Sequence, residues 1–241
     1  MTPAAVIFDL DGVLLDSEQV WGTVREELTR ELGGRWHEGA LREMMGMSSP
    51  EWSRYMHEQL EVPWPPEEIS REVVRRVEER YASEGLPLID GAQDAVHRLA
   101  ARWPLGLASS ANREIIDAVL ELSGLGSEFA ARVSSEEVER GKPAPDVYLE
   151  AAARLGVDPH ASAGVEDSTN GLLAARAAGL TVIAIPNREF PPAPEGLAAA
   201  DVVLGSLHEL TPEVLERKRS GYARPEAESF SQSAGLDAPR R

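Results

Sequence analysis

Five short apolar runs, each too brief to be a core helix, recur along this chain, and their alternation with helical patterns constrains the fold more than any other feature. The first spans Ala4 to Phe8, and others lie at 105–109 (LGLAS), 162–166 (SAGVE), 181–185 (TVIAI) and 201–204 (DVVL). Continuous apolar stretches with β-branched residues suit strands covered on both faces. Helical patterns fall between them at 91–102, 112–123, 144–155 and 169–178, with Asn112 placed to cap one and Gly179 to end another. Strand and helix in alternation predict an α/β fold built on a doubly wound parallel sheet.

The segment 17–86 breaks this rhythm and holds no strand pattern. Trp21, Val24, Leu28 and Leu32 recur at helical spacing, as do Trp52, Tyr55, Met56 and Leu60, and then Ile69, Val73, Val77 and Tyr81. These stripes are read as core packing. The expected organisation is an α/β core formed by 1–16 and 87–217, an inserted helical domain at 17–86, and a disordered tail at 218–241, where the sequence is polar and rich in Gly, Pro and Ser. A chain of 241 residues with 42% hydrophobic side chains has enough apolar material for both units.

Charge and cysteine content narrow the partners. The formal net charge is −17, so nucleic acid would be repelled over most of the surface, and an anionic substrate must be met by local positive charge or a metal. With no cysteine there is no disulfide, thiolate metal site or cysteine nucleophile, which fits a cytoplasmic protein. The opening MTPAAVIFDLDGV has no basic n-region, so neither a signal peptide nor a membrane span is expected. A monomer or weak homo-oligomer is the expected state.

Chemistry concentrates at strand ends. Phe8-Asp9-Leu10-Asp11-Gly12 puts two carboxylates two residues apart where the first strand stops, the end at which open α/β sheets bind ligands. Alternate residues of an extended segment point the same way, so Asp9 and Asp11 share one space. Glu166 and Asp167 end a later strand. Were Asp9 and Asp167 to converge at about 4 Å, their repulsion at an effective dielectric near 20 would be roughly 4 kcal/mol, which calls for a cation. An all-oxygen donor set without His or Cys favours Mg²⁺. Ser109, Ser110 and Asn112 open a helix, where hydroxyls and free N–H groups can receive phosphate. Lys142 sits in Gly141-Lys142-Pro143-Ala144-Pro145, and the glycine spacing rules out a nucleotide P-loop.

The order of these elements closely resembles the haloacid dehalogenase-like phosphatase superfamily, in the branch with β-phosphoglucomutase and the small sugar-phosphate phosphatases. Val6–Ser17, Leu107–Ser110, Gly141–Ala153 and Gly164–Gly179 carry the likeness. The resemblance implies that Asp9 is the nucleophile, Asp11 the general acid and base, Ser109 a phosphate ligand and Lys142 the cation steadying nucleophile and phosphate. It further implies that Asp9, the Asp11 carbonyl and Asp167 bind Mg²⁺, with Glu166 a direct or water-mediated ligand, and that 17–86 is a helical cap. Mutases of this branch are expected to carry a histidine where Trp21 stands, and basic residues after the cap glycine, where Gly46, Met47 and Ser48 stand here. Asp16-Ser17-Glu18 followed by Trp21 looks more like the hexitol and deoxysugar phosphate phosphatases. Phosphatase action on a small phosphorylated metabolite is therefore the expected activity, with a sugar phosphomutase and a non-catalytic binding module as the alternatives.

Overall fold

The computed structural model describes residues 2–45, 47–188 and 190–216. Gly46 and the expected tail at 218–241 lie outside the described residues. Six strands, β1 (Val6–Phe8), β2 (Leu105–Ser109), β3 (Phe129–Ser134), β4 (Ala163–Glu166), β5 (Thr181–Ala184) and β6 (Val202–Val203), form one parallel sheet in the order β3-β2-β1-β4-β5-β6. Helices α5 (Ala92–Ala100), α6 (Arg113–Leu122), α7 (Asp146–Leu155), α8 (Thr169–Ala177), α9 (Pro194–Ala199) and α10 (Pro212–Glu216) belong to this half of the chain.

Strand periodicity explains why both faces must be covered. Val6 and Phe8 turn to one side and join Leu105, Leu107 and Val165, while Ile7 turns to the other with Ala108, Val133 and Val182. Each fully buried aliphatic side chain of this kind stabilises the fold by about 1.5–3 kcal/mol. The alternation yields a sheet sandwiched between helices, the doubly wound architecture expected.

Between β1 and α5 the chain forms α1 (Glu18–Glu31), α2 (Ala40–Met44), α3 (Ser49–Glu58) and α4 (Pro66–Glu84). Trp52, Met56, Val73, Val77 and Tyr81 are all buried, so the helical stripes serve packing here. Glu51, three residues after Ser48, closes a capping box that starts α3, and Pro66 starts α4 at a position where its missing N–H costs nothing.

The strand order reverses beside β1. The chain winds from β1 outward to β3, then crosses back to place β4 against the other side of β1. A crevice opens beyond the carboxyl ends of the two strands at such a switch point. Asp9 follows β1 directly and its N–H still bonds the Val165 carbonyl at 3.0 Å, which aligns the end of β1 with the end of β4.

Candidate active site

Asp9, Lys142, Glu166 and Asp167 meet in that crevice, each less than 9% exposed. Lys142, on the loop between β3 and α7, donates from Nζ to Asp9 Oδ1 at 2.7 Å and to Glu166 Oε1 at 2.5 Å. Tyr148, one turn into α7, donates to the same Glu166 oxygen at 2.7 Å, and its ring lies 5.1 Å from the ammonium. The other Glu166 oxygen accepts from the N–H of Asp167 and from Ser168. Both oxygens of Glu166 are thus committed to protein donors, and its carboxylate fixes Lys142 in place.

Two glycines make this density possible. At Gly12, whose φ is +78°, a Cβ would stand 2.0 Å from Asp167 Oδ2, so only glycine lets the turn after β1 close over that carboxylate. On α8 a Cβ at Gly171 would fall 1.9 Å from Glu166.

Ligand oxygens of Asp9, Glu166 and Asp167 lie within 4.8 Å of one another. At that separation two carboxylates repel by about 3 kcal/mol at an effective dielectric near 20, and one ammonium does not neutralise three of them. Asp167 Oδ1 is buried and has no hydrogen-bond partner among the described residues. An orphaned carboxylate oxygen in an acidic, all-oxygen cluster fits a hard divalent cation.

Protonation equilibria report the same imbalance. Burial pushes the carboxyls of Asp9 and Asp167 up, and the neighbouring Glu166 adds to both. Lys142 opposes the rise at Asp9 and keeps its own proton, because Asp9 and Glu166 outweigh its burial. Asp11 is raised by burial too, against a hydrogen bond from Ser17 that favours the anion.

The crevice opens into a cavity of about 540 Å³ roofed by α1, α2 and α3, a size typical of small-molecule sites. Ser110 and Asn112 line it, whereas Ser109 is fully buried and its Oγ accepts from the Ala111 N–H at 3.0 Å. Asn112 does not use its side chain to cap α6. Its Oδ1 accepts from Ser49 at 2.7 Å and its Nδ2 donates to Glu136 at 2.6 Å, which ties α3 to the sheet. Trp21 and Met47 reach the cavity; Ser48 instead donates its N–H and hydroxyl to Glu51. Of the two arginines near the Gly46 turn, Arg42 lines the cavity and Arg54 is exposed away from it.

The sequence reading gave Trp52 to core packing, met Glu18 only within a run resembling the hexitol phosphatases and passed over Arg25, yet all three line the cavity. Arg25 adjoins the packing stripe of α1 and is buried, and a charge on the inward face of an amphipathic helix was the available signal.

Residues 6–185 match the haloacid dehalogenase-like hydrolase family. Hexitol phosphatase B of Escherichia coli is 35% identical over 213 residues, covering 86% of this chain and 94% of its own. A probable pseudouridine-5'-phosphatase of Drosophila melanogaster is 34% identical over 215 residues, covering 86% and 91%. Among solved structures, CbbY from Rhodobacter sphaeroides in complex with phosphate superposes with a TM-score of 0.78 at 28% identity, covering 86% of this chain and 96% of that one. A match over most of the chain, on a fold whose switch-point crevice gathers the acidic cluster and its lysine, makes this protein a member of the haloacid dehalogenase-like hydrolase family and a hydrolase of phosphate monoesters.

Proposed function

We propose that the protein hydrolyses a small phosphorylated polyol or sugar with Mg²⁺, through a phosphoryl group carried transiently on Asp9. The observation that carries this reading is the buried Asp9–Lys142–Glu166 chain of charge-assisted contacts beside the orphaned Asp167 oxygen, with Asp9, Lys142 and Asp167 lining one cavity. The relatives named as hexitol and sugar phosphatases support the substrate class.

Asp9, the Asp11 carbonyl and Asp167 would hold the metal, with the carboxylate of Glu166 behind them on Lys142. Bound Mg²⁺ supplies positive charge that offsets repulsion between the Asp9 anion and the phosphate oxygens. Lys142 holds the Asp9 carboxylate in one orientation and presents its ammonium to the same phosphate. Asp9 attacks phosphorus as the ester P–O bond breaks. Asp11, whose carboxyl is shifted upward by burial, gives a proton to the leaving alkoxide and then takes one from the water that attacks the aspartyl-phosphate. That second attack restores the Asp9 carboxylate and releases inorganic phosphate. Helices α1 to α4 act as a cap over the reaction, and Ser110 with the free N–H groups at the start of α6 receives the phosphate oxygens.

The test is phosphate release from a panel of hexitol, hexose and nucleoside monophosphates, with wild type and Asp9→Asn compared in Mg²⁺ and in excess chelator. Turnover should need Asp9 and the metal, and brief exposure to substrate followed by acid quench should leave a hydroxylamine-labile phosphate on wild type alone. Full activity of Asp9→Asn, or conversion of a hexose 1-phosphate to its 6-phosphate with little phosphate release, would overturn the proposal.

A further inference from the structure

Glu18, Trp21 and Arg25 stand at i, i+3 and i+7 on α1, and all three line the cavity together with Asp9, Asp11 and Lys142. Seven residues of helix span about 10 Å, so the three side chains form one continuous face along the cavity. Arg25 is only 6% exposed, and its Nε has no hydrogen-bond partner among the described residues. What the protein does give it is aromatic: the guanidinium carbon lies 4.9 Å from the Trp21 ring centre and 4.7 Å from that of Trp52. Burial lowers Arg25 to about 10, so it stays charged at neutral pH.

A buried donor without an acceptor is rare in folded proteins, and one facing a ligand cavity points to an acceptor that arrives with the ligand. We infer that Glu18 and Arg25 form a hydroxyl-reading subsite for the uncharged polyhydroxy part of the substrate, and that this subsite disfavours a second anionic group. The inference rests on the phosphatase reading above and deepens it. Arginine can only donate and an ionised carboxylate only accept, whereas a hydroxyl does both, so neighbouring hydroxyls satisfy the two side chains together. Trp21 and Trp52 add flat apolar walls suited to the C–H faces of a polyol. A second phosphate would meet Arg25 but also Glu18, whose carboxylate already reaches that arginine. Arg42, on the same cavity, is the competing candidate for a distal phosphate.

The experiment uses the full chain with Mg²⁺ and three substrates: sorbitol 6-phosphate, phenyl phosphate, which has no hydroxyls to read, and fructose 1,6-bisphosphate. Arg25→Met fills the space between the rings without donors, and Glu18→Gln keeps the shape without the charge. Both should raise KM for sorbitol 6-phosphate at least tenfold, with a loss of kcat/KM at least five times larger than on phenyl phosphate, and wild type should prefer the monophosphate. Calorimetric binding of sorbitol 6-phosphate to Asp9→Asn should weaken at least tenfold on adding Arg25→Met, which decides the matter even without turnover. Should Arg25→Met not fold, Arg25→Lys, with fewer donors in a different geometry, should show a smaller loss of the same pattern. Equal losses on sorbitol and phenyl phosphates, or unchanged binding, would reduce the pair to packing, and a wild-type preference for the bisphosphate lost in Arg25→Met would make Arg25 a second phosphate reader. Absence of turnover on every monoester would instead sink the phosphatase reading itself.

Discussion

Glu166→Gln separates two roles open to an acidic residue in a crevice whose carboxylates could hold a metal. The carboxylate is fully buried, one oxygen accepting from Lys142 and Tyr148 and the other from Ser168 and the Asp167 N–H. A glutamine there has one acceptor and one donor end. Whichever way the amide is turned, its NH₂ confronts groups that also donate, and Lys142 loses a charged partner. Removing one member of a buried pair costs about 3–5 kcal/mol of stability. Of this, a lost hydrogen bond to a charged group, about 2–3 kcal/mol, should fall on the positioning of Lys142 and hence on the barrier, lowering kcat roughly 30- to 150-fold. Since neither oxygen of Glu166 is spare, the Mg²⁺ concentration for half-maximal activity should move less than about threefold by this reasoning. The assay is kcat against Mg²⁺ concentration, with melting curves in chelator and in Mg²⁺. If kcat returns to the wild-type level at high Mg²⁺ with a tenfold weaker metal response, Glu166 is a metal ligand and the positioning argument fails.

Two further outcomes follow from the same geometry. Asp9, Asp11 and Asp167 have carboxyl pKa values raised by burial, and Glu18 is raised to about 7, so the folded protein holds protons that the unfolded chain releases. That contribution is present below the unfolded carboxyl range and lost as pH rises through the folded values, so the melting temperature in chelator should fall between pH 5 and 8 and Mg²⁺ should raise it more at pH 8 than at pH 6; a metal-free protein that gains stability over this range would refute the assignment. Ser49→Ala should leave the buried Asn112 Oδ1 without its donor, at a cost of about 1–3 kcal/mol in chemical denaturation, together with a weaker KM for substrate as α3 loosens over the cavity; unchanged stability and KM would mean that this link carries nothing.

How much of this was legible in the sequence depended on how each element is buried. β2 stands where its apolar run predicted it, residue for residue, because a strand covered on both faces stays apolar from Leu105 to Ala108 and turns polar only at Ser109, its carboxyl end. β3 escaped notice because it lies at the sheet edge, with Ala130 exposed and Arg132 half-buried, so FAARVS has no continuous apolar signal. α2 is five residues long, too short to show a period. At the site, Asp9, Asp11, Glu166 and Asp167 sit at strand ends and Lys142 on a loop, where a polar residue next to an apolar run stands out. Arg25 and Ser49 enter from helix faces, and the contact of Ser49 with Asn112 joins positions 63 apart, which no local pattern marks.

A chain with a net charge of −17 must still receive an anion, and the charges lining the cavity show how this is arranged. Among the described residues Asp9, Asp11, Glu18 and Asp167 face Arg25, Arg42 and Lys142, a formal surplus of one negative charge. With all four carboxyls ionised, a cavity of that sign repels a phosphate monoester. On the proposed reading a divalent cation held by Asp9 and Asp167 would turn the surplus into one positive charge. Metal and substrate then cannot bind independently, because each relieves the repulsion that opposes the other. The three protein cations are spread along the cavity, Lys142 at the nucleophile and Arg25 and Arg42 on the helical roof, so the metal supplies the local excess at one end only. Phosphate would then be drawn to that end, and the remainder of the substrate would be left facing Glu18, Arg25 and the two tryptophans. Orientation thus follows from charge placement before any shape complementarity is invoked.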